Sequence, residues 1–180
     1  TEVVTPGLKT GDQLLDYKSN NFLASICFSN KGPNGVAFID ISTGEFFVSE
    51  GSREQIEKLV QSLKPSEIIF SRSFKKTFDK IFGGEHYTFP LEEWVYTFDY
   101  GREKLLDHFE VSTLKGYGVE ELEAAQVSAG AVLHYLDSLE NKDLKHINTI
   151  SRIHNDEFLW LDRFTIRNLE LIQAQFHTGI

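Results

Sequence analysis

Little of the usual raw material for catalysis is present in this chain. It has a single cysteine, Cys27, among 180 residues, so no internal disulfide can form. Cys27 lies in an apolar run with no Lys, Arg or His beside it to favour the thiolate. It reads as a structural thiol in a protein of a reducing cytoplasm. The six histidines, His86, His108, His134, His146, His154 and His177, make no HxH, HxxxH or HExxH spacing, and one cysteine cannot complete a zinc set. Neither G-x-x-x-x-G-K-[ST] nor G-x-G-x-x-G occurs. No apolar run of about 18 residues and no signal-peptide layout is found, so a cytoplasmic protein without a membrane partner is expected. Positive charge is scarce as well, with 18 Lys and Arg against 27 Asp and Glu and a net charge of -9. A surface of that sign repels phosphate, so this chain is not expected to hold a nucleic-acid backbone by charge. Methionine is absent altogether, and the chain is therefore expected to be an internal piece of a longer protein.

What is present is ordinary for a globular domain, 41% hydrophobic and 25% charged. The organising stretch is Gly35 to Ser49. Val36, Phe38 and Ile41 lead in, Phe46, Phe47 and Val48 lead out, and Asp40 to Gly44 supplies turn chemistry between them. Asp, Ser and Thr side chains bond their own backbone, and Gly44 accepts the positive φ that closes a hairpin. Phe22 to Phe28 predicts a third antiparallel strand. Ser52-Arg53-Glu54-Gln55 fits a capping box, followed by the helical stripe Ile56, Leu59, Val60, Leu63 and a stop at Pro65. Glu67 to Phe70 predicts a strand parallel to the core, because a helix precedes it as a crossover. Ser73 is expected to cap a second helix with Phe74, Phe78, Ile81 and Phe82 on one face, ending at Gly83-Gly84. His86 to Phe89 predicts an edge strand before Pro90. Three antiparallel strands followed by two crossover units imply an α/β fold. Its sheet is mixed and five-stranded, with flanking helices in a ribonuclease-H-like layout, and long α-helices follow it.

Past Pro90, Asp99 is expected to cap a helix carrying Arg102, Leu105, Leu106 and Phe109. Gly116-Tyr117-Gly118 follows no clear strand and reads as a joint. A long helix is predicted from Val119 to about Glu140, crowded with Ala124, Ala125, Ser128, Ala129, Gly130 and Ala131. Glycine inside a helix costs about 1 kcal/mol against alanine, so Gly130 predicts the close approach of another backbone. Leu144 to Ile153 reads as irregular or briefly extended, and Asp156 to Phe176 as a further helix.

Candidate chemistry is thin. A ribonuclease-H-type nuclease places an Asp in the middle of its first core strand to hold metal, and Phe22 to Phe28 contains none. Asp40 and Glu67 are the remaining carboxylates of interest, both expected to face solvent, with Asp40 explained by its turn. Ser42 and Thr43 have no histidine placed to activate them. Arg72, Lys75, Lys76 and Lys80 form a small basic cluster that reads as a solvated helix face. A divergent metal-dependent nuclease is the alternative to an interaction or structural module.

Several stretches together are similar to one family: Thr5-Pro6-Gly7, Asn20 to Ala24, Ala37 to Phe46, Pro65 to Ile69, Leu114 to Glu120, Ala129 to Leu136, and Arg167 to Glu170. In this order they cover nearly the whole chain, which resembles the connector domain (domain II) of the MutS family of DNA mismatch-repair proteins. On that resemblance residues 1–142 form the connector, ending in a long linking helix, and residues 143–180 begin the helical core, or lever, domain. The resemblance implies a non-catalytic piece, with no cofactor of its own, that couples mismatch recognition to an ATPase. ATP and Mg belong to the full-length parent, itself an ATPase. Mismatched DNA would be bound through other domains, a MutL homologue would be the partner, and the parent would be a homodimer. No Phe-x-Glu motif of the mismatch-reading kind occurs here. Coupling is expected at Gly116, Tyr117 and Gly118 with Gly130 in the helix beyond, and partner docking at Glu103, Lys104, Asp107 and Ser138.

Overall fold

The computed structural model describes residues 21–139 and 143–154. The entry turn at Thr5 to Gly7 and the helix expected over Asp156 to Phe176 lie outside the described residues. Among the described residues six strands form one sheet: β1 (Leu23–Cys27), β2 (Asn34–Asp40), β3 (Glu45–Gly51), β4 (Glu67–Ser71), β5 (Thr88–Leu91) and β6 (Ser151–Arg152). Their order is β5-β4-β1-β2-β3-β6. The pairs β1–β2 and β2–β3 are antiparallel, and the remaining three are parallel. The first five strands have the expected ribonuclease-H-like order. The sheet has one strand more than the sequence predicts, because the extended crossing after the last helix adds a two-residue β6 beside β3.

The hairpin forms for the reason its residues suggest. Asp40 Oδ1 accepts from the Ser42 N–H at 2.9 Å and from its hydroxyl at 2.6 Å, while the Gly44 N–H donates to the Asp40 carbonyl at 2.8 Å. Gly44 has φ +80°. Helix α1 (Arg53–Leu63) begins with the predicted box, the Ser52 N–H donating to Gln55 Oε1 at 2.8 Å and the Gln55 N–H to Ser52 Oγ at 3.2 Å. It ends on Lys64 at φ 47°, before Pro65.

Several helix starts differ from expectation. Helix α2 (Lys75–Phe82) follows a 3-10 turn at Arg72–Phe74, and Ser73 does not cap it. Its hydroxyl instead lies 3.0 Å from that of Ser71. In α3 (Phe98–Phe109), Asp99 sits inside the first turn, while the cap position is Thr97, whose hydroxyl is turned back to the Trp94 carbonyl at 2.9 Å. Strand β5 also starts two residues later than predicted and runs through Pro90. It is the sheet edge, as expected, and the Ile68 N–H donates to the Tyr87 carbonyl at 2.9 Å. By alternation, Pro90 occupies an outward position where no N–H is needed, which blunts the edge against a further strand.

The sheet buries both faces. On one side α1 and α2 cover Phe22, Phe38, Phe47, Ile68 and Phe70. Phe78 of α2 stacks on Phe70 at 4.4 Å. On the other side lies α4 (Glu123–Asp137), packed on β1, β2 and β3 and crossed by α3. Helix α4 begins later than the predicted Val119, since Val119 to Leu122 forms a turn closed by the Leu122 N–H on the Val119 carbonyl at 3.1 Å. Leu144, Ile147 and Ile150, in the stretch assigned by sequence to a second unit, are buried against this same side.

Candidate functional site

Asp40 and Glu67 do not make a metal pair. Strand alternation puts Asp40 on the face of Val36 and Phe38, under α1 and α2, and Glu67 on the face of Ile69, under α4. Neither faces solvent as the sequence suggests, being 2% and 0% exposed. Asp40 is held by its turn and by the Asn21 N–H at 3.1 Å. Glu67 Oε2 accepts from the Tyr135 hydroxyl at 2.7 Å, and Oε1 has no hydrogen-bond partner among the described residues. A carboxylate in that position fixes α4 against the sheet, since leaving it without the tyrosine would strand a buried polar group. Burial, with Glu50 nearby, pushes the Cys27 thiol up to about 12, which makes it inert at neutral pH.

The helix pair on the α4 side is the more informative region. A side chain at Gly130 would place its Cβ 2.3 Å from Gly101 Cα, and one at Gly101 would meet the Gln126 carbonyl at 2.8 Å. The backbone approach predicted at Gly130 is therefore real, and its partner is Gly101 of α3. A third glycine, Gly35 of β2, lets the start of α4 come down on the sheet, with a virtual Cβ 2.1 Å from the Ala124 carbonyl. The Glu50 carboxylate accepts from the Ala125 N–H there at 3.0 Å.

The joint between α3 and α4 is clamped rather than loose. Arg102 donates to Glu120 Oε1 at 2.7 Å and to Gln126 Oε1 at 3.3 Å. The Leu114 N–H donates to Glu120 Oε2 at 2.6 Å. The Gln126 amide donates to the carbonyls of Val119 and Glu120 at 2.8 and 2.9 Å. The Arg102 guanidinium, followed by the Leu114 N–H, holds the Glu120 carboxyl below the usual range. Inside this clamp Lys115–Tyr117 is a 3-10 turn, Gly118 takes φ +75°, and the Tyr117 ring packs 4.7 Å from Phe109. Gly116 has open space around its Cβ direction and no positive φ. Gly118 is thus the joint's conformational requirement. Gly130 belongs to the helix crossing.

Of the docking candidates, Glu103 and Asp107 lie one turn apart on α3, and both are exposed. Lys104 reaches across to Asp137 at 2.6 Å, so it ties α3 to the end of α4. Ser138 is exposed beside Asp137, its hydroxyl donating to the Tyr135 carbonyl at 2.6 Å. The structure therefore brings Lys104 next to the Asp137–Ser138 end. The basic cluster near α2 is solvated, and two of its members are paired, Lys75 with Asp79 at 2.7 Å and Arg72 with Glu92 at 3.1 Å.

The sequence reads Leu144 to Ile153 as irregular or briefly extended, which β6 bears out, but it did not show what this segment bonds to. After α4, His108 Nε2 hydrogen-bonds the Ile147 carbonyl at 2.7 Å, and His146 Nε2 bonds the Ile41 carbonyl. The Ser49 hydroxyl donates to the Ile153 carbonyl at 3.0 Å, and the Ile153 N–H to the Val48 carbonyl at 2.8 Å. The apolar spacing Leu144, Ile147, Ile150, Ile153 was the available signal. It fits neither a helix nor an alternating strand because the segment packs through single side chains.

A family profile described as MutS domain II matches residues 21–148. The chain is 46% identical over 180 residues to the DNA mismatch repair protein MutS of Cytophaga hutchinsonii, covering 100% of this chain and 21% of that protein. It is 48% identical over 174 residues to the protein of the same name from Flavobacterium johnsoniae, covering 97% and 20%. With the one from Bacteroides fragilis the identity is 47% over 179 residues, covering 99% and 21%. The chain thus spans about a fifth of the length of these relatives. With a mixed sheet of this order, the two helices crossing on it and a profile match over most of its length, the chain belongs to the MutS family of DNA mismatch-repair proteins and carries its domain II.

Proposed function

We propose that this chain is a connector without catalysis of its own, which passes conformational change between a mismatch-reading part and an ATP-hydrolysing part of its parent protein. The observation that carries this reading is the clamped helix pair. The glycine crossing and the Arg102–Glu120–Gln126 network make α3, the joint and α4 one stiff unit. The carbonyl bonds from His108 and His146 tie the outgoing chain to the same body. A rigid element with a defined entry and exit can bias two distant sites, whereas a loose one cannot. ATP, Mg, mismatched DNA and a second copy of the parent would all engage other domains, in the cytoplasm. Among the described residues no group of three His, Cys, Asp or Glu is placed to hold a metal ion.

The test is Gly118→Ala in the full-length protein, with ATP-dependent release from mismatched DNA as the readout. Weakened release with mismatch affinity retained is expected, and normal release would overturn the coupling role. For docking, the exposed side of α3 with Glu103, Lys104 and Asp107, extended by Ser138, is the face offered to a MutL homologue. Charge reversal at Glu103 and Asp107 should weaken that association, and unchanged association would remove the assignment. Magnesium-dependent cleavage of nucleic acid by this chain, lost in Asp40→Asn, would instead favour a nuclease.

A further inference from the structure

Asn34 and Gly35 open strand β2, and they are the one Asn-Gly pair in the sequence. Asparagine before glycine is chemically labile. With no side chain on the glycine, its backbone nitrogen reaches the asparagine amide carbon freely in a flexible chain. The fold nevertheless requires this pair, and the same fold holds it inert.

Each residue is required by a different contact. The Asn34 amide bridges the loop after β1 and the end of β3. Its Oδ1 accepts from the Ser29 N–H at 2.8 Å, and its Nδ2 donates to the Gly51 carbonyl at 3.3 Å. A carboxylate, which only accepts, cannot make both bonds. Gly35 lies under the start of α4, where a Cβ would stand 2.1 Å from the Ala124 carbonyl oxygen. Packing thus requires the glycine, and the bridge requires the amide.

These contacts also suppress the chemistry. Ring closure brings the Asn34 side-chain carbon onto the Gly35 nitrogen, so the amide must leave Ser29 and Gly51, and the strand must leave its extended form. Asn34 is 4% exposed, and every residue of β2 is buried. Burial keeps out the hydroxide that removes the Gly35 amide proton.

We propose that Asn34–Gly35 is a spontaneous deamidation site, closed in the folded chain and reactive only when β2 opens, whose products cannot rebuild the contact with α4. In the open chain the Gly35 nitrogen loses its proton and bonds to the Asn34 side-chain carbonyl carbon. The bond from that carbon to Nδ2 breaks, and Nδ2 leaves as ammonia with a proton taken from water. The succinimide so formed takes up one water and opens to aspartate or isoaspartate. Aspartate has no donor for the Gly51 carbonyl and puts a charge in a buried place. Isoaspartate runs the main chain through the former side chain, which adds one carbon between the two residues. That carbon displaces Gly35 from its register with Cys27 and Glu50 and from beneath Ala124. A molecule that opens long enough to react is thereby marked and kept from closing. This inference is independent of the coupling role and of the docking face on α3.

The experiment follows loss of Asn34 at mildly alkaline pH in the native 180-residue chain, in the same chain unfolded in urea, and in the peptide Ac-Gly-Pro-Asn-Gly-Val-NH2. Trypsin releases residues 32–53, where Asn34 is the one asparagine, so the mass gain of that fragment reports the site. The urea sample should react as fast as the peptide. The native chain should react at least about tenfold more slowly, because the reaction follows the open population. The urea sample is then returned to native buffer, and its deamidated fraction is separated by the added charge. The unreacted fraction should regain the near-ultraviolet circular dichroism of the native chain, and the deamidated fraction should not. Loss of Asn34 from the native chain at the peptide's rate, or a deamidated fraction that refolds as well as the unreacted one, would overturn the proposal.

Discussion

The two sides of the sheet solve the same packing problem in opposite ways. Under α1 and α2 the space is filled with large rings: Phe22 sits edge-on to Phe38 and Phe47, and Phe70 stacks on Phe78. Under α4 the space is removed. Gly35, Gly101 and Gly130, with Ala125, Ala129 and Ala131, let backbones approach until a single added carbon would overlap them. Filled packing tolerates some repacking of side chains, because rings can shift rotamer. Backbone-to-backbone packing has no such freedom, so the α4 side is the stiffer of the two.

That contrast can be broken in order of expected effect. Phe78→Ala should cost about 4 kcal/mol in denaturant unfolding, as for other buried rings; a cost below about 1 kcal/mol would mean the aromatic side collapses to fill its cavity. Gly130→Ala should cost about 2 kcal/mol, because the overlap with Gly101 outweighs the roughly 1 kcal/mol by which alanine favours a helix. A stabilised Gly130→Ala would show that α3 can lift off α4, and with it the stiffness argument would fall. At the joint, Gly118→Ala should lose about 1 kcal/mol for its positive φ while Gly116→Ala stays within about 0.5 kcal/mol of the parent. Equal losses at the two glycines would contradict the assigned geometry.

The smallest effect is electrostatic and is read by pH. Glu120 has a folded pKa below its ordinary value, because of Arg102 first and the Leu114 N–H second. A depressed carboxylate contributes stability that is complete above the ordinary glutamate range and is lost as pH falls through the folded value. Replacing it by glutamine should therefore destabilise the chain at neutral pH, and the gap between variant and parent should narrow below about pH 4. A gap independent of pH would show that the clamp works through shape and not through charge.

How much of this could be seen in the amino-acid order depended on whether a residue acts on its neighbours or across the fold. The β2–β3 hairpin, the α1 capping box and the stop at Pro65 are local, and each was legible because a few adjacent residues complete the interaction. Gly130 was half legible: its helix-propensity penalty announced a close approach but could not name Gly101, which is 29 positions away (130 minus 101). Ser73 and Asp99 misled because a capping residue has alternatives. Ser73 found another hydroxyl, and α3 began earlier than Asp99, its cap position being Thr97. Glu67 misled for a similar reason, since a charged residue opening a strand normally faces water unless a distant tyrosine meets it.

By itself, then, the sequence determined the order of elements, the hairpin, the sheet layout and the absence of a nucleotide loop or zinc set in its motifs. These follow from periodicity, turn chemistry and composition, which act over a few residues. Only the tertiary structure decided that Asp40 and Glu67 lie on opposite faces and that Arg102, Glu120 and Gln126 clamp the joint. It also decided that residues 144–153 return to the sheet. Those relations are set by how strands alternate and helices cross, which no short window of sequence contains.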